Sequence, residues 1–598
     1  MDLPIEHNRT DYIAQHINVL ESIIHQIYKW LSTTEETNVS KLRTHFYKHY
    51  YTPILSTHNI QIKKSELIYV YRQMVKQSKL AHLPIITTIL QKAPSRNISG
   101  IAVITVLTSP YPDDQKFSCR HNCAYCPNEP DQPRSYLLRE PAVARANKNN
   151  FLAIAQMNDR LTSLTSNGHD VNKVEIIIEG GTFTEYPVPY LERFFCDLYY
   201  ACNVFNTTER PIKSLEEEQR MNETANIRII GICIETRPDA LFMDDGTPWI
   251  RLLRKWGITR IQIGVQHTDN EILRRIKRGH TIEQVYTAME YLKNHAYKVD
   301  IHAMPDLPYS SPEKDKKMLH EIFHSPHIGP DQVKIYPCQV VPWTAIQEWN
   351  HKKEYIPYAE THPHILREVI STALSECPPY IRVPRVFRDI PTHYIQAGYY
   401  NTNLRQQIQQ SHAPHWSVEI REREYGRHTE YYSPSTAILK TRKYIASNGF
   451  EYFLSFESED ERCLFGFLRL RIAPNTPTEF PILHNRGLIR ELHIYGDLVP
   501  VHKSKTHAAQ HNGFGRRLLK HAETIAYSYN KQGTAVISGI GVKRYYEKHG
   551  YYEHSTYMIK DFLITKKYRQ YILYSIVVIY IAYIAQLSTV YFSDIPLL

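Results

Sequence analysis

The chain has 598 residues, of which 42% are hydrophobic and 22% are charged, and it holds nine cysteines. This length predicts roughly three or four domains, and the composition excludes a disordered or fibrous protein. So few cysteines exclude a disulfide framework. The net charge of +10 permits a nucleic-acid partner but does not indicate one by itself.

Residues 1–92 are predicted to be helical. Apolar residues recur at helical spacing in residues 13–31 and 66–80. Basic residues alternate with Tyr and His in residues 41–51, a mixture that suits RNA backbone binding and base stacking. An ordinary solvated helix face would give the same pattern.

Residues 93–345 alternate short β-rich runs with helical patterns. Strands are predicted at 101–107, 174–178, 228–235, 260–265, 299–304 and 332–336, with helices at 249–256, 269–278 and 282–295. This alternation is typical of parallel βα units. Six units predict an open, partial (β/α)6 barrel with its chemistry at the C-terminal ends of the strands.

Two further regions follow the predicted barrel. Residues 346–440 are rich in Pro, Arg and His without a clear period, and we interpret them as an interdomain linker. Residues 441–562 predict a separate mixed α/β domain. Its elements are a hairpin of 451–457 and 463–471, a strand at 488–495, a helix at 513–529 and a strand at 534–538.

Residues 570–592 are predicted to be a transmembrane tail anchor. The segment 571–592 has no charged residue, and Lys566, Lys567 and Arg569 precede it. Its length suits a membrane-spanning helix, and the basic residues would lie on the cytosolic side. The N-terminus lacks the apolar core of a signal peptide, so a cytoplasmic body is expected. The alternative is an apolar helix packed on the protein's own surface.

Three cysteines are clustered directly after the first predicted strand. Cys119, Cys123 and Cys126 form a CxxxCxxC motif. Three thiolates can ligate three irons of a 4Fe–4S cluster and leave the fourth iron open for a substrate. A structural zinc site would normally need a fourth ligand and two separated pairs. The motif therefore favours an iron–sulfur cluster.

A glycine-bearing turn precedes the long helix of the last domain. Gln510, Gly513, Phe514, Gly515 and Arg516 belong to this turn and the start of the helix. Backbone N–H groups at a helix N-terminus bind pyrophosphate, and the glycines allow close approach. Tyr545 and Tyr546 follow later in the domain. One of them could face a thioester as an acid or a gate, although packing in the core explains both equally well.

The sequence resembles known families at both motifs. The cysteine motif in a partial barrel resembles the radical S-adenosylmethionine enzymes, and QHNGFG resembles the GNAT acetyltransferases. Together with CAYCP, GGTF, GICIETRPD, MPDLP, VKIYP, RELHIYGDLVPV and RYYEKHGY, they resemble the family of the catalytic subunit of Elongator, elongator complex protein three. The resemblance runs from about residue 93 to residue 560 and leaves out the apolar tail.

This resemblance implies a function. Members of that family make the carboxymethyl group at position 5 of the wobble uridine, position 34, in tRNA. The group comes from acetyl-CoA, through a 5′-deoxyadenosyl radical derived from S-adenosylmethionine at a 4Fe–4S cluster, and the thioester is then hydrolysed. The expected partners are the tRNA anticodon loop, other Elongator subunits, a second copy of the chain and, through the tail, a membrane. Residues 1–92 lie outside the resemblance, and their basic and aromatic segment predicts tRNA binding.

The resemblance also implies roles for individual residues. The cluster would be held by Cys119, Cys123 and Cys126. S-adenosylmethionine would be bound by Gly180, Gly181, Thr182, Glu235 and Gln266. Acetyl-CoA would be bound by Lys173, Glu491, Leu492, His493, Ile494, Gln510, Gly513, Phe514, Gly515, Arg516 and Tyr546. Tyr545, Tyr546 and Lys334 would act in catalysis. Arg237 and Asp239 would also face S-adenosylmethionine. For some of these strand-end residues and Lys334, a buried ion pair between barrel elements is an equal explanation.

Basic residues offer candidate RNA contacts, since Lys and Arg neutralise phosphates. One run lies in residues 251–280, and a second set comprises Arg382, Arg385, Arg388 and Arg405. For any single residue, a solvated helix face is the more ordinary explanation.

The sequence departs from the family pattern at several positions. Asn128 and Glu129 replace two glycines, and His267 replaces a serine. Ser417, Tyr431 and Tyr432 stand where the family has metal-binding Cys and His residues, so a linker zinc is not expected.

Two other functions remain open from the sequence. One is a GNAT acetyltransferase of protein lysines with a non-catalytic barrel. The other is a non-catalytic, membrane-tethered tRNA-binding subunit.

Overall fold

The computed structural model describes residues 10–36, 38–58, 60–92, 100–117, 119–413, 416–474, 478–496, 513–562 and 574–584. These residues are organised around two seven-stranded sheets. The strands are β1 (Ala102–Leu107), β2 (Lys173–Glu179), β3 (Arg228–Thr236), β4 (Arg260–Gln266), β5 (Lys298–Ala303), β6 (Gln332–Ile335), β7 (Arg382–Arg385), β8 (Ile438–Ala446), β9 (Gly449–Glu457), β10 (Leu464–Ile472), β11 (Arg486–Ile494), β12 (Gly533–Val536), β13 (Tyr552–His554) and β14 (Tyr557–Asp561).

Helices surround both sheets and form the N-terminal region. They are α1 (Thr10–Gln15), α2 (Ile17–Thr33), α3 (Val39–Phe46), α4 (Thr52–His58), α5 (Lys64–Lys76), α6 (Pro84–Leu90), α7 (Pro141–Lys148), α8 (Ala153–Ser166), α9 (Val188–Val204), α10 (Leu215–Asn222), α11 (Ile250–Lys255), α12 (Asn270–Arg275), α13 (Ile282–Asn294), α14 (Pro312–His324), α15 (Ala345–His351), α16 (Tyr358–Thr361), α17 (Pro363–Glu376), α18 (Leu404–Gln410), α19 (Ile420–Arg423), α20 (Phe514–Ser528) and α21 (Lys543–Glu547). A π-helical turn, Tyr47–Tyr51, joins α3 to α4.

The N-terminal helices pack around their own apolar core. Leu20, Ile24 and Ile27 of α2 are fully buried, as the helical spacing of these residues predicts. The predicted helix 13–31 is instead two helices, α1 and α2, because the backbone breaks at His16. The aromatic segment 41–51 is partly used internally: Trp30 stacks on His45, with the ring centroids 4.7 Å apart.

The first sheet is a parallel half-barrel. Its strands lie in sequence order from β1 to β7, and every neighbouring pair is parallel. The six predicted strands are confirmed to within two residues at each end. A seventh strand, β7, comes from the segment interpreted as linker, so the expected (β/α)6 barrel is one strand short. Only Val383 of β7 is fully buried and Pro384 interrupts it, which fits an edge strand and hides the apolar pattern.

The second sheet is mixed, with strand order β13-β14-β12-β11-β10-β9-β8. The predicted hairpin is confirmed as β9 and β10, which pair antiparallel. Strands β11 and β12 are parallel but pair only from Arg486 to Ile489 on β11. Strand β11 continues to Ile494, so the sheet splits beyond Ile489. Helix α20 packs across this sheet and buries Phe514, Leu518 and Ala522.

The second sheet packs against the N-terminal end of the half-barrel. Asp331, directly before β6, pairs with Arg490 of β11. The guanidinium of Arg254, in helix α11, donates to the Ser538 carbonyl at 3.3 Å. A Cβ at Gly539 would lie 2.0 Å from the Ile230 carbonyl oxygen of β3. The backbones of the two units therefore touch directly.

The predicted tail anchor receives no support from the described residues. Residues 574–584 are helical and exposed. The rest of the segment 570–592 lies outside the described residues. Across the described parts of the chain, no helix combines the length and the apolar character needed to cross a membrane.

Candidate functional site

The three cysteines lie on the loop between β1 and α7. The Cys126 N–H donates to the Cys123 carbonyl at 3.1 Å, which closes a tight turn. Cys123 is buried. Two guanidinium groups approach its sulfur: Arg278 Nη1, from the segment between α12 and α13, at 3.5 Å, and Arg237 Nη1, directly after β3, at 3.7 Å. The loop therefore presents thiols in a positively charged pocket.

This pocket prepares one thiol for ligation. Burial raises the pKa of the Cys123 thiol, but the charges of Arg278 and Arg237 oppose it, and the net pKa lies below the ordinary value. Burial and the neighbouring Cys123 raise the pKa of Cys126. Metal ligation requires thiolates, so three cysteines with two facing arginines fit an anionic iron–sulfur cluster.

The sulfur spacing argues against one zinc ion. Zinc–sulfur bonds of about 2.3 Å in a tetrahedron hold ligand atoms about 4 Å apart. Among the described residues, the one group of three candidate ligands within 4.8 Å of one another is His320, His324 and Glu376, on α14 and α17. The three cysteines do not meet this condition.

Glycines follow β2 beside the cysteine loop. Gly180 and Gly181 have positive φ angles of 142° and 102°. A Cβ at Gly180 would lie 2.0 Å from Thr108 Oγ1, so a larger residue cannot be accommodated without rearrangement. Thr182 Oγ1 lies 3.4 Å from Cys119 Sγ. The predicted cosubstrate residues thus lie directly beside the predicted cluster ligands.

A cavity of about 450 Å³ opens at the C-terminal ends of the barrel strands. Glu235, Gln266 and Tyr125 line it. The structure therefore brings two further predicted cosubstrate residues to the cysteine side of the barrel.

Lys334 lies in a polar network inside the barrel. Its ammonium donates to Gln262 and lies 3.9 Å from Glu235. Glu235 also accepts a hydrogen bond from Tyr136 Oη at 2.6 Å. Burial lowers the pKa of Lys334, but Tyr336 and Glu235 oppose it, so the net pKa is raised. The contact between Lys334 and Glu235 therefore fits the alternative of a buried ion pair between barrel elements.

A second cavity, of about 580 Å³, opens where β11 and β12 separate. Its lining includes most of the residues predicted to bind acetyl-CoA or to face its thioester, namely Lys173, Glu491, Leu492, His493, Ile494, Gly515, Tyr545 and Tyr546. Burial raises the pKa of Tyr545 to about 12 and also raises that of Tyr546. Both hydroxyls are therefore neutral near pH 7.

The start of α20 has the geometry of a phosphate site. Gly513 is the N-cap with a left-handed φ of 69°. The first backbone bond of the helix runs from the Arg517 N–H to the Gly513 carbonyl at 3.0 Å. The N–H groups of Phe514, Gly515 and Arg516 precede it and are the orphan donors of a helix N-terminus.

Some predicted acetyl-CoA residues have other side-chain roles. Phe514 stacks on Phe456, with centroids 4.3 Å apart, and is buried in the core. The Glu491 carboxylate pairs with Lys298 and with Arg469, the latter at 2.9 Å. Gln510 lies outside the described residues.

Some residues of each predicted basic patch lie inside the fold, while Arg251, Lys255, Arg274, Arg275 and Lys277 are exposed. Arg388 pairs with Glu140 at 2.8 Å and Arg382 with Glu424 at 2.7 Å. Arg405 likewise pairs with acids of the same region. Within residues 251–280, the buried members are Arg254, Arg260 and Arg278. Charge along the sequence does not distinguish a solvated arginine from one paired inside the fold, and RNA contact by these residues stays a prediction.

Comparison with known proteins places the chain in a family. The Radical SAM superfamily model matches residues 117–320, and the Radical_SAM C-terminal domain model matches residues 330–413. A tRNA uridine(34) acetyltransferase of Methanocaldococcus jannaschii is 40% identical over 490 residues, which cover 80% of this chain and 87% of the relative. The chain belongs to the Elongator complex protein 3 family.

Further relatives agree with this assignment. Elongator complex protein 3 of Schizosaccharomyces pombe is 35% identical over 483 residues, covering 79% of this chain and 86% of that protein. The solved structure of the archaeal Methanocaldococcus infernus Elp3 with an N-terminal deletion of residues 1–46 matches with a TM-score of 0.65 and 36% identity, covering 78% of this chain and all of that one.

Several departures from the family pattern have structural partners in this member. Glu129 accepts from the Leu138 N–H at 2.7 Å, and Asn128 donates its N–H to Trp343. His267 is buried and accepts from the Asp269 N–H at 2.9 Å. Ser417 donates to the Leu374 carbonyl at 2.6 Å. The side chains of Glu129, His267 and Ser417 therefore support loops by hydrogen bonds, whereas the backbone bond of Asn128 does not depend on the replacement.

Sequence reasoning missed two features of the site. Arg278 stood in a basic run and gave no sign that it faces Cys123. Glu179 lines both cavities, and its one sequence signal was its place directly before the glycine pair.

Proposed function

We propose that this chain modifies the wobble uridine of tRNA, adding a carboxymethyl group derived from acetyl-CoA by radical S-adenosylmethionine chemistry. The observation that carries the proposal is the pair of cavities, one at the cysteine loop and one at the split of the second sheet. They share Val103, Thr105, Glu179 and Arg385 as lining residues. The names of the archaeal relatives supply the tRNA substrate and the modified position.

Residues of this chain would divide the work between the two cavities. Cys119, Cys123 and Cys126 would hold a 4Fe–4S cluster, which when bound supplies one-electron chemistry to S-adenosylmethionine. Gly180 and Gly181 let the cosubstrate approach the backbone. The N–H groups at the start of α20 would bind the pyrophosphate of acetyl-CoA.

Lys173 would support acetyl-CoA binding from the barrel side. It begins β2 and lines the second cavity. Burial lowers its pKa to about 8, so it is mostly charged at neutral pH. A cation at this position complements an anionic ligand.

The alternative of a protein lysine acetyltransferase is disfavoured by the direction of the cleft. Such an enzyme must admit a protein lysine from solvent to the acetyl group. Here the split between β11 and β12 faces the barrel, where Gly231 and Arg260 complete the cavity lining. The acetyl end would therefore point into the half-barrel.

A labelling experiment tests the proposal. Anaerobically reconstituted protein, reductant, S-adenosylmethionine, tRNA and acetyl-CoA carrying ¹³C at both acetyl carbons should yield a nucleoside that holds both labelled carbons, detected by mass spectrometry. Cys123→Ser should abolish the product. Cys196→Ser is the matched control, because Cys196 lies on α9 and donates to the Lys213 carbonyl at 3.2 Å, which serine can also do.

Two results would contradict the proposal. One is labelled product from the Cys123→Ser protein. The other is transfer of the labelled acetyl group to protein lysines without tRNA.

Companion Elongator subunits and a second copy of the chain are further proposed partners, and co-purification followed by light scattering would test for both.

A further inference from the structure

The two cavities are arranged along the axis of the half-barrel. The first residues of several strands line the second cavity, namely Lys173, Arg260, Lys298, Gln332 and Arg382. Residues from the C-terminal ends, Glu235, Gln266 and Tyr336, line the first. Since the second sheet docks at the N-terminal end, the lumen connects its cleft to the cysteine side.

Glu179 lies where the two cavities meet. It is the last residue of β2 and lines both. Side chains alternate along a strand, so Glu175, Ile177 and Glu179 share one face, and all three line the second cavity. Glu175 is paired with Arg260 at 3.0 Å. Among the described residues, no hydrogen bond or ion pair engages the Glu179 carboxylate.

Charged and titratable groups face Glu179 from several elements. They are Glu235 of β3, Lys334 of β6, Arg385 of β7, and Tyr136 and Glu140 from the segment before α7. Burial, followed by the charge of Glu235, raises the pKa of Glu179 to about 7, against the opposing charges of Lys334 and Arg385. A carboxyl with such a pKa both accepts and returns a proton readily at neutral pH.

We infer that Glu179 is the general base that activates water for hydrolysis of the CoA thioester, an inference that rests on the proposed function. The thioester carbonyl carbon is bonded directly to the methyl carbon that forms the bond to uracil. If that carbon reaches the cysteine-side cavity from the second cavity, the carbonyl lies near their junction. This is the position of Glu179.

The step balances without a redox partner. Water oxygen bonds to the carbonyl carbon while one water proton passes to the Glu179 carboxylate. The carbon–sulfur bond then breaks, and the departing CoA sulfur receives the proton from Glu179. The products are the carboxylic acid and CoA thiol, and Glu179 returns to its starting form.

Glu179→Gln tests this role, because glutamine keeps the shape but cannot accept the proton. Thioester hydrolysis with tRNA should slow by about 10²–10⁴-fold, the usual contribution of a general base. The tRNA should then carry a CoA thioester at the modified uridine, visible by mass spectrometry. Affinity for a non-hydrolysable acetyl-CoA analogue, measured by calorimetry, should stay at the wild-type value.

A spectroscopic measurement is independent of turnover. Infrared difference spectra of the reconstituted wild-type protein should show a carboxyl that titrates near pH 7 and that disappears in Glu179→Gln. Glu175→Gln is the matched comparison, since it removes a carboxylate from the same strand face. It should leave this titration in place.

The outcomes separate the two proposals. Free carboxymethyl product from Glu179→Gln at the wild-type rate would overturn the role of Glu179 while supporting the proposed function. Absence of any labelled nucleoside from wild-type protein would overturn both. If Glu179→Gln fails to bind the analogue, the pH dependence of thioester hydrolysis by the wild-type protein tests the role of Glu179 instead. Hydrolysis must rise with pH through about 7, the pKa of Glu179, and a flat profile would overturn the inference.

Discussion

Asp331 and Arg490 form a bidentate ion pair in which both side chains are fully buried. Arg490 Nη1 lies 2.6 Å from Asp331 Oδ2, and Nη2 lies 2.7 Å from Oδ1. Asp331 directly precedes β6 of the half-barrel, and Arg490 lies in β11 of the second sheet. Arg490 also donates to Glu451 and to the Tyr297 carbonyl. This pair therefore positions the cleft of one unit against the lumen of the other.

Asp331→Asn should destabilise the protein strongly. It leaves the Arg490 guanidinium buried with part of its countercharge removed, which typically costs about 3–5 kcal/mol. Chemical denaturation would measure the loss. Lys316→Met is the control, because its pair with Glu368 is exposed on both sides and such pairs contribute little. Equal effects of the two substitutions would contradict the importance of the buried pair.

Cys123→Ser should lose most of its bound iron. Serine removes the thiol that Arg278 and Arg237 favour in its charged form. After anaerobic reconstitution, iron and labile sulfide per chain should fall well below the wild-type value. Cys196→Ser should keep the wild-type content. Equal iron in both variants would argue that Cys123 is not a ligand.

Gly515→Ala should weaken CoA binding and destabilise the second sheet by about 1–3 kcal/mol, the usual cost of overpacking. A Cβ at this position would lie 2.3 Å from Tyr545 Oη, while the next atom of that ring is 3.4 Å away. The double variant Gly515→Ala, Tyr545→Phe removes the clashing hydroxyl and should recover stability. A double variant no more stable than Gly515→Ala would contradict this explanation.

CoA affinity should weaken as the pH rises through about 8. Burial lowers the pKa of Lys173 to about 8, so above this pH the side chain loses its charge and with it the attraction for an anionic ligand. Lys173→Met should lower the affinity at pH 7 by about tenfold or more, since charge-assisted bonds contribute about 1.5–3 kcal/mol. Calorimetric titrations at several pH values would measure both effects. If the CoA affinity of Lys173→Met has the same pH dependence as that of the wild type, titration of Lys173 does not cause this dependence.

Much of the barrel could be predicted from sequence because apolar residues recur at alternate positions in its central strands. Residues such as Ile176, Ile234 and Ile263 are buried in the core, whereas Glu175, Ile177 and Glu179 on the other face of β2 line the cavities. Strand β7 could not be predicted, because it has four residues, of which one is a proline. Its pairing with β6 depends on tertiary contacts, and no local sequence pattern predicts it.

The candidate site also has parts that the sequence predicted and parts that it did not. Motif spacing by itself identified the cysteine loop and the helix start at Gly513, since both are local: one turn brings thiols together, and one helix end aligns its N–H groups. Neither motif revealed that the two would face opposite ends of one lumen. Arg278 gave no signal that it lies beside Cys123, and Glu179 gave only its place directly before the glycine pair.

The sequence by itself determined the local elements and the two ligand motifs, because periodicity and short-range geometry depend on neighbouring residues. The tertiary structure decided which charges are interior and how the two cavities meet. Arg388 and Arg490 look alike in sequence to any solvated arginine, yet each is paired with an acid more than 150 positions away. Such pairing depends on how the two sheets dock, and docking follows from the shape of whole surfaces rather than from any local pattern.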